Sequence, residues 1–170
     1  MVPRSITRYL ESHDVAFRTR RHPRAVTAQE LAHALHVTGE RVAKSVIIDV
    51  DGERWIAVLP ATEVLDTLRV SEALGVHTVL LVDEEEFEDA FPDCELGAEP
   101  PFGRLYGMRV IADTNLAAQG LVWFRAGSHE EALEMIWEDF VDLERPVIAP
   151  IGQRREWLEP GRLREFCVQQ

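Results

Sequence analysis

The sequence predicts an α+β fold, a mixed and largely antiparallel sheet with flanking helices, formed by residues 1–170 as a single domain. Three observations carry that prediction. β-rich and amphipathic helical runs are mixed without a regular strand–helix alternation. Two of the β-rich runs are joined by Asp51-Gly52, a two-residue hairpin signal, and no Gly-x-Gly-x-x-Gly opens a doubly wound unit.

The elements follow in order. Ile6, Tyr9 and Leu10 stand at helical spacing in a short amphipathic helix between Ser5 and His13. Residues 16–20 are extended, and His22-Pro23 interrupts them. Thr27-Ala28-Gln29-Glu30 has the form of a capping box, which predicts a helix over 28–36 with Gly39 just past its end. Residues 42–50 and 53–59 are the hairpin strands, and 64–74 is helical in pieces. The nearly all-apolar run 76–82 predicts a central strand, and Asp83 caps an acidic helix over 84–89. Strands follow at 105–112 and 121–125. Ser128-His129-Glu130-Glu131 reads as a second capping box, opening a helix that carries Leu133, Met135, Ile136, Trp137 and Phe140 and stops at Pro146. The last twenty residues read as a strand or loop and a short helix near 162–166.

Composition sets limits on function. With 46% hydrophobic and 28% charged residues the chain has the profile of a soluble globular protein. It has no apolar run long enough for a membrane span and no export signal, and its cysteines are Cys94 and Cys167 alone, so a reducing cytoplasm is expected. A net charge of −12 argues against gripping nucleic acid by bulk electrostatics. The charge is uneven, however. Residues 1–54 carry nine basic and seven acidic side chains, residues 55–150 five and twenty, and residues 151–170 four and three. Arg18, Arg20, Arg21 and Arg24 at one end and Arg154, Arg155, Arg162 and Arg164 at the other would form a local basic patch if the ends meet; otherwise they are solvated surface charge.

Of the 18 basic residues, 17 are arginine, and Lys44 is the single lysine. It sits in the apolar stretch Val42-Ala43-Lys44-Ser45-Val46-Ile47-Ile48, where a long cation is costly without a partner. An ammonium is a compact point charge with three rotatable donors, unlike a guanidinium fork. Lys44 is therefore the first candidate for chemistry, against the plainer reading of a strand-end lysine reaching solvent.

Two further segments qualify. Residues 94–103 (Cys94-Glu95-Leu96-Gly97-Ala98-Glu99-Pro100-Pro101-Phe102-Gly103) form a loop with glycines that permit unusual backbone angles and prolines that stiffen it. Such a loop can hold a carbonyl oxygen through its N–H groups, or it can be a plain surface turn. Gly127-Ser128-His129 lies where a strand hands over to the next element; Ser128 is a cap there, and His129 is a candidate general base. His22, His33 and His36 lack a supported third zinc ligand, and nothing marks the Cys94 thiolate as stabilised, so neither a metal site nor a cysteine nucleophile is expected.

These features occur together and in order in one family. Nearly the whole chain resembles the YbaK / prolyl-tRNA-synthetase-associated editing domain. The matching stretches are His22-Pro23, Thr27-Ala28-Gln29-Glu30-Leu31-Ala32, Val42-Ala43-Lys44-Ser45-Val46-Ile47, residues 97–103, Val110-Ile111-Ala112-Asp113 and Ala126-Gly127-Ser128-His129-Glu130. The resemblance implies an aminoacyl-tRNA deacylase that hydrolyses the ester of mischarged tRNA, tRNA for proline carrying alanine, cysteine or another small amino acid. It implies no metal and no organic cofactor. The partners it implies are the 3′ aminoacyl end of a mischarged tRNA and an aminoacyl-tRNA synthetase, with no membrane. The family's key lysine falls on Lys44, its Gly-x-x-x-Pro loop on residues 97–101, and a functional histidine on His129. The catalytic candidates are thus Lys44, Gly97, Ala98 and His129, and the substrate-binding ones Ser45, Glu99, Pro101, Gly127 and Ser128. Two positions depart from the family's pattern: Ser45, where some relatives carry Thr or Asn, and Glu99, where the loop more often has a small or apolar residue. The rival reading is a non-catalytic module that binds aminoacyl groups or tRNA ends, or regulates a synthetase. A third is a hydrolase of small esters or amides unrelated to tRNA.

Overall fold

The computed structural model describes residues 1–154, which form ten strands and five α-helices arranged as an α+β fold. Strands β1 (Phe17–Arg21), β7 (Leu121–Arg125) and β8 (Glu131–Ile136) make an antiparallel sheet in the order β1-β8-β7. Five others make a mixed sheet in the order β5-β2-β3-β6-β9: β5 (Val79–Leu81), β2 (Ala43–Val50), β3 (Glu53–Pro60), β6 (Arg109–Asp113) and β9 (Val147–Ala149). β2 runs antiparallel to β3 and β5, whereas β3–β6 and β6–β9 are parallel. A two-stranded ribbon joins β4 (Glu63–Leu65) to β10 (Gly152–Arg154).

Local chemistry accounts for the best-defined elements. Asp51 and Gly52 both take positive φ (48° and 91°), as a hairpin turn of the favoured hand requires, and Asp49 Oδ1 accepts the Gly52 N–H at 2.8 Å. The capping box is complete in both directions. Thr27 Oγ1 accepts the Glu30 N–H at 3.1 Å, and Glu30 Oε2 accepts the N–H groups of Thr27 and Val26, opening helix α2 (Ala28–Leu35). Helix α1 (Arg4–Ser12) buries Ile6 and Leu10 as its spacing predicts. β2 and β3 are covered on both faces. Ile47, Ile56 and Val58 pack with Phe124, Leu133 and Phe140, while Val46, Ile48, Ala57 and Leu59 pack with Val70 and Ile151.

The structure corrects several elements. Residues 76–82 do not form a central strand: only Val79–Leu81 pairs, at the sheet edge, with Leu80 58% exposed. The preceding His77 and Thr78 N–H groups go to the Asp51 carboxylate instead. Residues 128–136 do not open a helix. Ser128 Oγ accepts the Glu130 N–H in a local turn, and 131–136 is the central strand β8, hydrogen-bonded on both sides by β1 and β7. The helix begins eight residues after His129, as α5 (Trp137–Glu144). The sequence there superposes two periods, and the ladder wins because it satisfies backbone groups on both edges of the strand. Residues 103–106 form a tight 3₁₀ turn ending at Gly107, so β6 starts at Arg109 rather than 105. The piece after residue 64 resolves into β4 and helix α3 (Thr67–Leu74), capped by Asp66. Asp83 precedes α4 (Glu84–Phe87), two residues shorter than expected and followed by a 3₁₀ turn over Glu88–Ala90. The helix near 162–166 lies outside the described residues. No helix among those described is long and apolar enough to cross a membrane.

Candidate functional site

A cavity of about 620 Å³ opens where strand β2 loses its neighbour. At its far end β2 pairs with β5 through residues Ile48, Asp49 and Val50. At its near end Val42 forms a single bridge to Trp123 of β7. Between those two attachments the strands splay, and Lys44 to Ile47 form the floor of the gap. Arg125 of β7, the start of α2, residues Leu81 to Glu85 and the 96–99 loop wall it in. Lys44 is 7% exposed and lines the cavity.

The loop is held by the turn after β7. Glu95 donates its N–H to the Gly127 carbonyl (2.9 Å), and Gly127 donates to the Ala98 carbonyl (3.0 Å). Gly127 takes φ +78°, and a Cβ there would meet Pro3 Cγ at 2.8 Å and Cys94 Sγ at 3.2 Å, so glycine is required. His129 completes the clamp. Its N–H reaches Glu95 Oε2 at 2.7 Å, and Nε2 lies 2.8 Å from the Leu96 carbonyl. Its Nδ1 sits 3.1 Å from Arg125 Nη1, which can only donate. Nδ1 also lies 3.2 Å from the Ala25 carbonyl, which takes its proton from Arg125 Nη1; the Nε2–H tautomer then lets Nδ1 accept from Arg125 and Nε2 donate to Leu96.

Arg125 is buried, and its Nη1 also donates to the Ala25 carbonyl at 2.9 Å and its Nη2 to that of Val26. Burial pulls this guanidinium below its usual value, opposed by the Glu99 and Glu30 carboxylates. Glu99 is 6% exposed, and its Oε1 accepts the Gly97 N–H at 2.8 Å. Burial pushes the Glu99 carboxyl up. Hydrogen bonds from its own N–H and from Gly97 pull it back, the Glu84 charge adds to the rise, and Arg125 opposes it.

Lys44, Ser45, Gly97 and Glu99 therefore line one cavity. The other candidates stand behind it. Ala98 is fully buried with its N–H donated to the Glu95 carbonyl, so it offers no donor to the cavity, a correction to the loop as an open oxyanion cradle. Pro101 is buried and accepts the Gly103 N–H, and Gly127 and Ser128 belong to the clamping turn. His129 is 4% exposed, outside the cavity lining, with both ring nitrogens engaged, which corrects its reading as a free base. Sequence reasoning missed Arg125. The signal was present: a lone long cation ending the apolar run Val122-Trp123-Phe124, the argument that singled out Lys44.

The arginine patch is largely matched by carboxylates. Arg18 and Arg41 share Glu134, Arg21 lies 4.0 Å from Glu131, and Arg24 lies 3.9 Å from Glu95. Arg155, Arg162 and Arg164 lie outside the described residues. Cys94 is pushed up to about 12, chiefly by burial, and its sulfur lies 3.4 Å from the Tyr106 hydroxyl. It is expected to resist iodoacetamide in the folded protein and to label rapidly in denaturant, read at its own peptide by mass spectrometry.

A β-gap cavity floored by a buried lysine and walled by a clamped glycine–proline loop defines the class of domain, and the sequence comparisons place it. The family model for the aminoacyl-tRNA editing domain matches residues 22–143, and the chain belongs to that family. A proline–tRNA ligase of Geobacillus thermodenitrificans is 30% identical over 109 residues, covering 64% of this chain and 19% of the ligase. A proline–tRNA ligase of Leuconostoc citreum is 27% identical over 137 residues, covering 79% of this chain and 24% of the ligase. The chain thus spans about a quarter or less of these relatives. Among solved structures, a protein proposed as a trans-editing enzyme for prolyl tRNA synthetase superposes with a TM-score of 0.76 at 18% identity, over 88% of this chain and 96% of that one. A hypothetical protein superposes at 0.79 with 19% identity, over 88% and 99%. At these identities the structures attest the fold.

Proposed function

We propose that this chain hydrolyses the ester bond of mischarged aminoacyl-tRNA, acting on tRNA for proline that carries alanine, cysteine or another small amino acid. The single observation that carries the reading is that the buried Lys44 lines one cavity with Gly97 and Glu99. The cavity lies within the volume range of small-ligand sites, about 300–1,000 Å³. Lys44 would hold the phosphate or hydroxyls of the terminal adenosine, fixing the ester against the loop. His129, Gly127 and Ser128 act at one remove, by holding that loop in place. Membership of the editing family and the prolyl-tRNA ligase relatives support tRNA as substrate. A synthetase and the cytoplasm are the partner and compartment that go with this chemistry.

One observation favours a second reading, a module that binds aminoacyl ends without turnover: the Gly97 and Ala98 N–H groups are already satisfied by Glu99 and Glu95. Charged tRNAs carrying alanine, cysteine, serine and proline discriminate the two. Deacylation faster than the spontaneous rate for a wrong amino acid, with prolyl-tRNA spared, is the expected result. Lifetimes unchanged or lengthened across the panel would favour the binding module.

A further inference from the structure

We infer that Glu99 is the general base that activates the hydrolytic water, an inference that rests on the editing reading above. Ester hydrolysis needs a group that accepts a proton from water inside the cavity, and most side chains near the loop are unsuited to it. His129 stands outside the lining, with Nδ1 accepting from Arg125 and Nε2 donating to Leu96. Cys94 is half-buried outside the cavity lining, its sulfur 3.4 Å from the Tyr106 hydroxyl and its thiol pushed up by burial. Asp83, Glu84 and Glu85 line the cavity but are exposed, at its acidic rim.

Glu99 differs from all of them: its carboxylate is in the cavity wall, 94% removed from solvent, and fixed by the Gly97 N–H at 2.8 Å. A carboxylate held by two N–H donors, its own and that of Gly97, keeps lone pairs for water, since two oxygens offer about four acceptor sites. Charges of both signs share the cavity with it: Lys44 from β2, Arg125 from β7, and Asp83, Glu84 and Glu85 around the start of α4. Burial and Glu84 raise its proton affinity while Arg125 and the two N–H groups restrain the rise, which moves it towards the pH at which a base works best.

The step balances without any further reagent. Glu99 takes one proton from water as the water oxygen bonds to the ester carbonyl carbon. The tetrahedral intermediate then breaks its bond to the ribose oxygen, which recovers the proton from Glu99. Free amino acid and uncharged tRNA leave, and the carboxylate is restored.

The test is single-turnover and steady-state deacylation from pH 5 to 9, using the mischarged tRNA that wild type clears fastest. Glu99→Gln is the first variant, because its amide oxygen can still accept the Gly97 N–H. The expected result is a fall in kcat of about 10²-fold with little change in KM, and loss of the acid limb of the pH–rate profile. A wild-type kcat, a loss confined to KM, or an acid limb unchanged in the variant would overturn the inference. Should thermal melting show that Glu99→Gln is unfolded, Glu99→Asp decides. Drawing the carboxylate back by one methylene is expected to cost at least about tenfold in kcat with the limb retained, and full activity would overturn the assignment. Failure of the editing reading is distinguishable, because wild type itself would then leave every ester intact, and this inference would fall with it.

Discussion

Lys44→Ala is expected to lower kcat/KM for deacylation of mischarged tRNA by roughly a hundredfold, the equivalent of about 2.7 kcal/mol. The size follows from what is removed: a charged residue, 7% exposed, lining the cavity proposed to receive the ester. Hydrogen bonds to charged groups contribute about 1.5–3 kcal/mol, at the upper end where water is excluded. If the ammonium meets a phosphate, the variant also loses about one unit from the slope of log affinity against log salt. If it meets a ribose hydroxyl, the slope is unchanged and the loss appears in kcat. Lys44→Arg is expected to recover little, because a planar fork cannot place a point charge on the same spot in a cavity built to a lysine stem. Circular dichroism separates lost activity from lost fold. Unchanged hydrolysis by folded Lys44→Ala would remove this residue from the mechanism.

What the sequence made legible is what short-range chemistry decides. Asp51-Gly52 announced its hairpin and Thr27-Glu30 its helix because the deciding bonds lie within three residues. Lys44 stood out because a buried cation is costly wherever the chain goes, and the loop because its glycines and prolines restrict the backbone locally. The errors share the opposite cause. Residues 131–136 contain a helical-looking apolar spacing, yet β1 lies more than a hundred residues away and pairs with 131–135. The apolar run 76–82 lost its central place because β2 had only three residues of edge left to share beside the cavity. Arg125 escaped notice because its partners, the Ala25 and Val26 carbonyls, are about a hundred residues upstream. The surroundings of Glu99 bring Gly97, Glu84 and Arg125 together from three different segments, and no spacing rule reports that. The family match shows that the chain belongs to the aminoacyl-tRNA editing domains.

The second large effect concerns His129, where two roles predict different patterns of loss. His129→Ala is expected to destabilise the fold by about 1–3 kcal/mol, because Leu96 loses its buried donor and Arg125 an acceptor. For a chain of this size that lowers the melting temperature by about 2–4 °C per kcal/mol. Activity is expected to fall as the 96–99 segment loosens, by up to about 10²-fold for a displacement near 1 Å. A positioning role differs from a catalytic one in what rescues it. Glutamine can donate from its amide nitrogen to Leu96 and accept from Arg125 with its oxygen, yet cannot take up a proton at neutral pH. His129→Gln is therefore expected to recover much of the lost melting temperature and activity, with the wild-type pH–rate profile. If His129 were the base, glutamine would be as inactive as alanine in spite of restored stability, and an acid limb would vanish with the imidazole. Paired with Glu99→Gln, the measurement assigns the proton transfer to one side of the loop: the carboxylate facing the cavity, or the ring that clamps the loop from behind.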